Sequence, residues 1–186
     1  MTRQEFTEKY YKLADAVTKN SGVFPQTLLA MAIVESRTGD SLLSSKYNNF
    51  FGIKSAGKWK GASVNLKTQE FYSSTPTTIT DGFRVYNSVK DGFKDYVNFL
   101  TVNPRYKKAL KANSYQEQII EIARAGYATA PNYADIITNV ADRVASFIPL
   151  VDKVIKGNQN KFIFLGLTLL SFTYLAIKKN GKKVYN

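Results

Sequence analysis

Apolar residues recur at helical spacing in the first fifth of the chain. Residues 3–19 carry apolar side chains every three or four positions, which predicts an amphipathic helix. A turn at 20–22 precedes Pro25, a residue favoured in the first turn of a helix. The apolar run 28–34 follows and ends at Glu35. The pattern therefore predicts two successive helices, the second of them a core helix.

The pattern changes in the middle of the chain. Residues 39–82 are rich in Gly, Ser, Thr and Asn with short alternating stretches, which predicts a small irregular β region. Helical spacing returns after Ser88 and stops at Asn103-Pro104, because the residue before a proline is biased away from helix. Two more helices are predicted at about 114–124 and 132–156, with Pro149 kinking or ending the second. This order predicts an α+β fold.

The run 162–177 carries no charge and lies between Lys161 and Lys178. As a helix it would extend about 24 Å, and flanking lysines can reach the interfaces of a hydrocarbon core of about 30 Å. We predict one globular domain at 1–150, a linker at 151–161, a transmembrane helix at 162–177 and a basic tail at 178–186. A buried or interfacial helix is the alternative. The N-terminus lacks the apolar core of a signal peptide.

Composition narrows the chemistry. The formal net charge is +12, which implies an anionic partner such as nucleic acid, anionic lipid or an acidic wall polymer. The chain has no Cys and no His, which excludes a Ser-His-Asp triad, a Cys-His pair and an ordinary zinc site. Hydrolysis would therefore rest on carboxylates, and we expect neither a cofactor nor a metal. The lysines are scattered and form no basic helix, so nucleic acid is not an expected partner.

Glu35 is the first candidate carboxylate. It closes the apolar run and is followed at once by Ser36, Arg37, Thr38 and Gly39. A carboxylate at the lip of a core helix has one dry face and one wet face, which raises its pKa and suits it to donate a proton. By position alone a solvated surface charge is commoner. The motifs that follow favour the acid.

Six motifs occur in order between residues 32 and 129, within a stretch of resemblance that spans about residues 21–143. They are 32–36 (AIVES), 48–54 (NNFFGIK), 59–61 with 68–70 (WKG and TQE), 83–88 (FRVYNS), 95–100 with 103–106 (DYVNFL and NPRY), and 125–129 (AGYAT). Together they resemble the glucosaminidase family of bacterial peptidoglycan hydrolases, glycoside hydrolase family 73, which includes autolysins and flagellar-rod-associated wall hydrolases. The resemblance implies a lysozyme-like fold, with a mainly helical lobe and a small β lobe on either side of a glycan groove.

The resemblance also implies catalytic residues. Glu35 matches the family's general acid, which protonates the glycosidic oxygen as the bond to the leaving sugar breaks. Glu70 matches the second carboxylate. Whether it activates water, stabilises charge or leaves the work to the substrate's N-acetyl group stays open. Tyr127 matches the Tyr of the Gly-Tyr-Ala-Thr stretch and is expected beside the cleft, with a half-buried helix-cap Tyr as the alternative.

Further residues are expected to bind substrate or to brace the groove. Trp59 would stack on a sugar ring, and the other predicted substrate-binding residues are Asn49, Phe51 and Tyr133. Alternatively, Phe51 belongs to the hydrophobic core and does not bind substrate. We expect Arg84 and Tyr86 to brace the junction of the lobes.

The predicted activity is cleavage of the β-1,4 glycan strand of peptidoglycan by an endo-β-N-acetylglucosaminidase. The alternatives are a lytic transglycosylase, and a structural membrane protein that keeps the domain for glycan binding. Because a C-terminal span without an N-terminal signal would leave the domain in the cytoplasm, we expect a bacteriophage virion with a membrane to carry it, with virion proteins as partners. The runner-up is a bacterial envelope autolysin.

Overall fold

In the computed structural model, which describes residues 1–57, 59–72, 75–149 and 151–152, helices are the main element. Helix α1 spans Arg3–Thr18 and begins with a capping box, in which Thr2 and Glu5 satisfy each other's backbone N–H groups. Helix α2 spans Pro25–Glu35, and every residue from Thr27 to Ile33 is buried. The two predicted N-terminal helices are therefore present, and α2 is the core helix.

Three of the remaining helices begin at serine caps. Helix α3 spans Leu42–Tyr47, α4 spans Val89–Val102 and α5 spans Tyr115–Arg124. Each starts after a Ser whose hydroxyl accepts a backbone N–H from the first turn, namely Ser41, Ser88 and Ser114. Residues 133–149 form a sixth helix, α6. The chain between α4 and α5 contains two 3-10 turns, Pro104–Tyr106 and Ala109–Lys111.

The β region is a hairpin. Strand β1, Ser63–Tyr72, pairs antiparallel with β2, Thr75–Arg84, in a register that runs from Ser63 opposite Arg84 to Tyr72 opposite Thr75. A bridge between Lys54 and Phe83 adds the preceding loop at the hairpin base. The predicted β region was too wide, because its first part contains α3. That helix has six residues, too few to show a helical period in the sequence.

The hydrophobic core surrounds α2. Helices α1 and α5 pack against it, and an aromatic cluster next to it joins Phe6, Tyr10, Phe50 and Phe93 at centroid distances of 4.7–5.9 Å. Such tilted and edge-on ring pairs stabilise a core beyond the area they bury. Helix α2 is therefore packed in the core up to Ile33, and Glu35 is its last residue.

The C-terminal predictions fall outside the residues described. Residues Met1–Ile148 form one compact unit. The linker at 151–161 is described only at Val151 and Asp152, and the transmembrane helix at 162–177 and the tail at 178–186 are not described. In the part of the chain that is described, no helix combines the length and apolar character that a membrane crossing requires. The transmembrane helix stays a prediction.

Candidate active site

A cavity of about 690 Å³ opens at the end of α2. Its walls come from α2, the loop after α3, the base of the hairpin, α4, the first 3-10 turn, the segment between α5 and α6, and the start of α6. The residues that line it are Glu35, Phe51, Gly52, Ile53, Lys54, Ala56, Arg84, Phe99, Arg105, Tyr106, Tyr127, Ala128 and Tyr133. Of these described residues Glu35 alone is acidic.

The turn after Glu35 fixes its position. The Ser36 hydroxyl donates to the carbonyl of Ala32 and accepts from the backbone N–H of Gly39 at 2.7 Å. Arg37 and Thr38 adopt left-handed φ angles of 52° and 59°, which non-glycine residues seldom adopt. The chain therefore turns away directly after Glu35, and the side chain stays at the helix end.

The Glu35 carboxyl is partly desolvated. Glu35 is exposed as a residue because it opens into the cavity, but protein surrounds its carboxyl on the other sides. This burial raises the pKa of Glu35, and the Tyr133 hydroxyl, which donates to Oε1 at 2.7 Å, opposes the rise. A carboxyl with a raised pKa keeps more of its protonated form towards neutral pH, as a general acid requires.

Four tyrosines, Tyr96, Tyr106, Tyr127 and Tyr133, form a tyrosine cluster beside Glu35. Tyr127 stacks on Tyr133 at a centroid distance of 5.7 Å and meets Tyr96 edge-on at 6.2 Å. Tyr96 is fully buried, and its hydroxyl donates to Met31 Sδ at 2.8 Å. Burial is the main cause that raises the pKa of Tyr96, Tyr127 and Tyr133. Their hydroxyls therefore stay protonated, and those of Tyr96 and Tyr133 use their protons in the bonds to Met31 and Glu35.

Asn49 lies behind the cavity wall. It is 1% exposed, and its side-chain N–H₂ donates to the carbonyls of Ile53 at 2.9 Å and Arg84 at 3.0 Å. Its side-chain oxygen accepts from the backbone N–H of Ile53 at 3.0 Å. The sequence assigned Asn49 to substrate binding. The structure instead engages its amide with backbone groups, so that it joins the loop after α3 to the hairpin base.

Arg84 and Tyr86 brace the same junction, as the sequence suggested. Both contact Asp95 of α4: Arg84 Nη1 lies 2.7 Å from Oδ2, and the Tyr86 hydroxyl donates to that oxygen at 2.6 Å. Arg84 also lines the cavity. Trp59 packs edge-on against Tyr86 at 5.8 Å, and the Arg84 guanidinium covers its ring at 4.6 Å. Trp59 is not among the described residues that line the cavity, although the Arg84 side chain that covers its ring is. Stacking of Trp59 on a sugar ring therefore stays a prediction.

Phe51 and Glu70 complete the predicted set. Phe51 stacks on Tyr96 at 3.8 Å, is 5% exposed, and still contributes to the cavity wall. Glu70 lies opposite Thr77 in the hairpin, seven positions along β1 from Ser63. At about 3.3 Å per residue this is about 23 Å from the base of the hairpin. The Glu70 side chain lies outside the described part of the structure, so its role stays a prediction.

The structure thus brings together Glu35, Phe51, Tyr127 and Tyr133. Sequence reasoning gave no role to several other residues of the cavity wall, most notably Arg105 and Tyr106, although their motif 103–106 was recognised. The available signal was Pro104, which begins a 3-10 turn and so fixes the direction of the two residues after it.

The chain is similar in sequence to known proteins of one family. A profile of the glucosaminidase family, described as mannosyl-glycoprotein endo-beta-N-acetylglucosaminidase, matches residues 11–146. Peptidoglycan hydrolase FlgJ of Vibrio parahaemolyticus is 39% identical over 147 residues, which cover 77% of this chain and 48% of that protein. Exo-glucosaminidase LytG of Bacillus subtilis is 32% identical over 146 residues, which cover 76% of this chain and 51% of that protein. The chain spans about half the length of these curated relatives.

Solved structures agree with the sequence relatives. The C-terminally truncated glycoside hydrolase domain of Salmonella typhimurium FlgJ superimposes with a TM-score of 0.65 at 30% identity, covering 78% of this chain and 99% of that one. The catalytic domain of the autolysin Auto from Listeria monocytogenes superimposes with a TM-score of 0.69 at 28% identity. The match covers 79% of this chain and 88% of that one. The predicted fold is confirmed as a helix-rich, lysozyme-like glycoside hydrolase fold with a small two-stranded sheet. The chain belongs to the glucosaminidase family of glycoside hydrolases.

Proposed function

We propose that the protein is a peptidoglycan hydrolase that cleaves the β-1,4 glycan strand as an endo-β-N-acetylglucosaminidase. One observation carries the proposal: the Glu35 carboxyl, its pKa raised by burial, lies in the wall of a cavity and accepts a hydrogen bond from Tyr133. The relatives named as peptidoglycan hydrolases support the choice of polymer.

Glu35 acts as the general acid. Its protonated carboxyl donates to the glycosidic oxygen while the bond from that oxygen to the anomeric carbon breaks, and Glu35 is left ionised. The Tyr133 hydroxyl holds the carboxyl in place and stabilises this ionised product. Water then adds to the anomeric carbon and its proton restores Glu35. Glu70 or the substrate's N-acetyl group assists on the opposite face of the sugar.

Lytic transglycosylation is the second candidate. It needs one acid, and Glu35 is the single carboxylate among the described residues of the cavity wall. In that reaction an internal hydroxyl of the muramyl sugar, in place of water, closes on the anomeric carbon and leaves an anhydro end.

Digestion of purified sacculi by the full chain tests the proposal. We expect soluble fragments with N-acetylglucosamine at the reducing end, identified by mass spectrometry after borohydride reduction. If the fragments instead carry anhydro-muramyl ends, the activity is lytic transglycosylation and the proposed hydrolysis is wrong. If no fragments are released, both enzymatic proposals fail, and the glycan-binding alternative remains.

Tyr133→Phe tests the contact to Glu35 through pH. The Tyr133 hydroxyl stabilises ionised Glu35 and opposes the rise of its pKa. Its loss should raise that pKa further, so the alkaline limb of kcat/KM should move to higher pH, since the protonated acid is the active form. Tyr115→Phe, which loses a hydrogen bond to Asp142, is the control and should leave the limb in place. An unmoved limb in Tyr133→Phe contradicts the assignment.

We also propose that residues 162–177 anchor the protein in a membrane, and that a virion membrane carries it to the bacterial wall. The support is the uncharged run between Lys161 and Lys178. The runner-up location is the bacterial envelope. The full chain should remain in the membrane pellet after washing with alkaline carbonate and should co-purify with virions. Release into the wash refutes the anchor, and absence from purified virions refutes the carrier.

A further inference from the structure

Three cations line the cavity, and two of them are paired. Lys54 Nζ lies 2.7 Å from Asp81 Oδ2, and Arg84 Nη1 lies 2.7 Å from Asp95 Oδ2. Arg105 forms no ion pair with any carboxylate in the described part of the chain. Among the described residues of the cavity wall, Arg105 is therefore the cation that has no carboxylate in ion-pair contact with it.

The chain holds Arg105 in a defined place. It is the middle residue of the 3-10 turn Pro104–Tyr106, and its guanidinium lies over the Tyr106 ring at 4.8 Å. Tyr106 is fully buried, so the platform for this cation–π contact is rigid. A planar guanidinium ordered in this way loses little entropy when it binds a planar anion.

Arg105 also lies near the proposed reaction centre. Burial raises the pKa of Tyr127 and the charge of Glu35 raises it further, whereas the charge of Arg105 lowers it. Tyr127 is therefore within reach of both charges. An anionic group on the substrate that met Arg105 would lie in the same cavity as Glu35.

We propose that Arg105 binds a carboxylate on the muramyl substituent of the glycan, and that this contact selects peptidoglycan over neutral N-acetylglucosamine polymers. The inference rests on the proposed function. Muramyl sugars carry a lactyl ether whose carboxyl is either free or joined to a peptide that has carboxylates of its own. N-acetylglucosamine polymers carry no carboxylate. Arg105 and a carboxylate fit each other as a bidentate pair.

Binding of three probes tests the inference. It is measured by calorimetry with the full chain, which carries Glu35→Gln so that no probe is cleaved. The probes are an alternating N-acetylglucosamine–muramyl tetrasaccharide with free lactyl carboxylates, the same tetrasaccharide with its peptides, and chitotetraose. Arg105→Gln should weaken binding of at least one anionic probe about tenfold or more and leave chitotetraose unchanged. Loss with the first probe alone identifies the lactyl group, and loss with the second alone identifies the peptide.

Two further variants make the result specific. Lys107→Gln removes the same charge from an exposed position outside the cavity wall and should keep the binding of all three probes. Arg105→Lys keeps the charge but loses the bidentate geometry, so it should restore only part of the affinity. Unchanged binding in Arg105→Gln, an equal loss for chitotetraose, or the same selective loss in Lys107→Gln overturns the inference. Sacculus digestion by the wild type, measured separately, shows whether the proposed function itself has failed.

Discussion

Glu35→Gln is expected to lower kcat for cleavage of the glycan strand about 1,000-fold, because general acid catalysis contributes 10²- to 10⁴-fold and the amide has no proton to donate. The substitution is nearly isosteric and keeps an oxygen that can accept from Tyr133. Folding and substrate binding should therefore survive. The measurement is release of soluble fragments from sacculi under substrate saturation, with circular dichroism to confirm the fold.

The same assay separates the other carboxylates. Glu8→Gln is the matched control, because Glu8 is an exposed residue of α1 that contacts Gln4 and lies away from the cavity. It should keep full activity. Glu70→Gln should lose a large part of the activity but less than Glu35→Gln, since the substrate's N-acetyl group can take over part of its role. Full activity in Glu35→Gln would remove the proposed general acid.

Asn49→Ala is expected to lower the free energy of unfolding by about 2–4 kcal/mol, because it removes buried hydrogen bonds. The Asn49 amide makes three hydrogen bonds to backbone groups of Ile53 and Arg84. Alanine would take the Asn49 oxygen from the buried backbone N–H of Ile53 and the Asn49 donor from the Arg84 carbonyl, whereas the Ile53 carbonyl would keep its bond from the Arg84 N–H. A buried polar group that loses its partner costs about 1–3 kcal/mol. Urea unfolding followed by circular dichroism measures the change.

The control for this substitution is Asn98→Ala. Asn98 is exposed on α4, where a change to alanine should stay within about 0.5 kcal/mol. Asn49→Ala should also reduce activity at temperatures where the protein is folded, because Arg84 and the loop that carries Phe51 form part of the cavity. Equal stability in the two variants would show that Asn49 does not hold the hairpin base.

Most helices could be predicted because their causes are local. The apolar run 28–34 has no polar face, and the structure buries it as α2. Ser88 and Ser114 cap the helices that the apolar spacing predicts after them. Helix α3 was not predicted, since it is short and the hydroxyl of Ser41 that caps it resembles the many hydroxyl groups of the surrounding loop. Local signals of this kind determine where elements begin and end.

The candidate site depended on contacts that are distant in sequence. Tyr133 lies 98 positions from Glu35 and donates to its carboxyl. The family motifs placed Asn49 and Trp59 at the substrate. The structure uses Asn49 as a buried brace and packs Trp59 against Tyr86 and Arg84, and neither is among the described residues that line the cavity. A motif states that a residue type is needed at a position. It does not state which atoms that residue meets.

The sequence by itself determined the order of the longer helices and the absence of histidine and cysteine chemistry, because periodicity and composition are read directly from the chain. It indicated Glu35 as the candidate acid through the motifs that resemble the glucosaminidase family. Only the tertiary structure decided that Tyr133 reaches Glu35, that the carboxyl is desolvated enough to raise its pKa, and that Arg105 faces the same cavity without a carboxylate partner among the described residues. Desolvation and charge balance depend on everything that surrounds a group in space, and packing brings those surroundings together from distant parts of the chain.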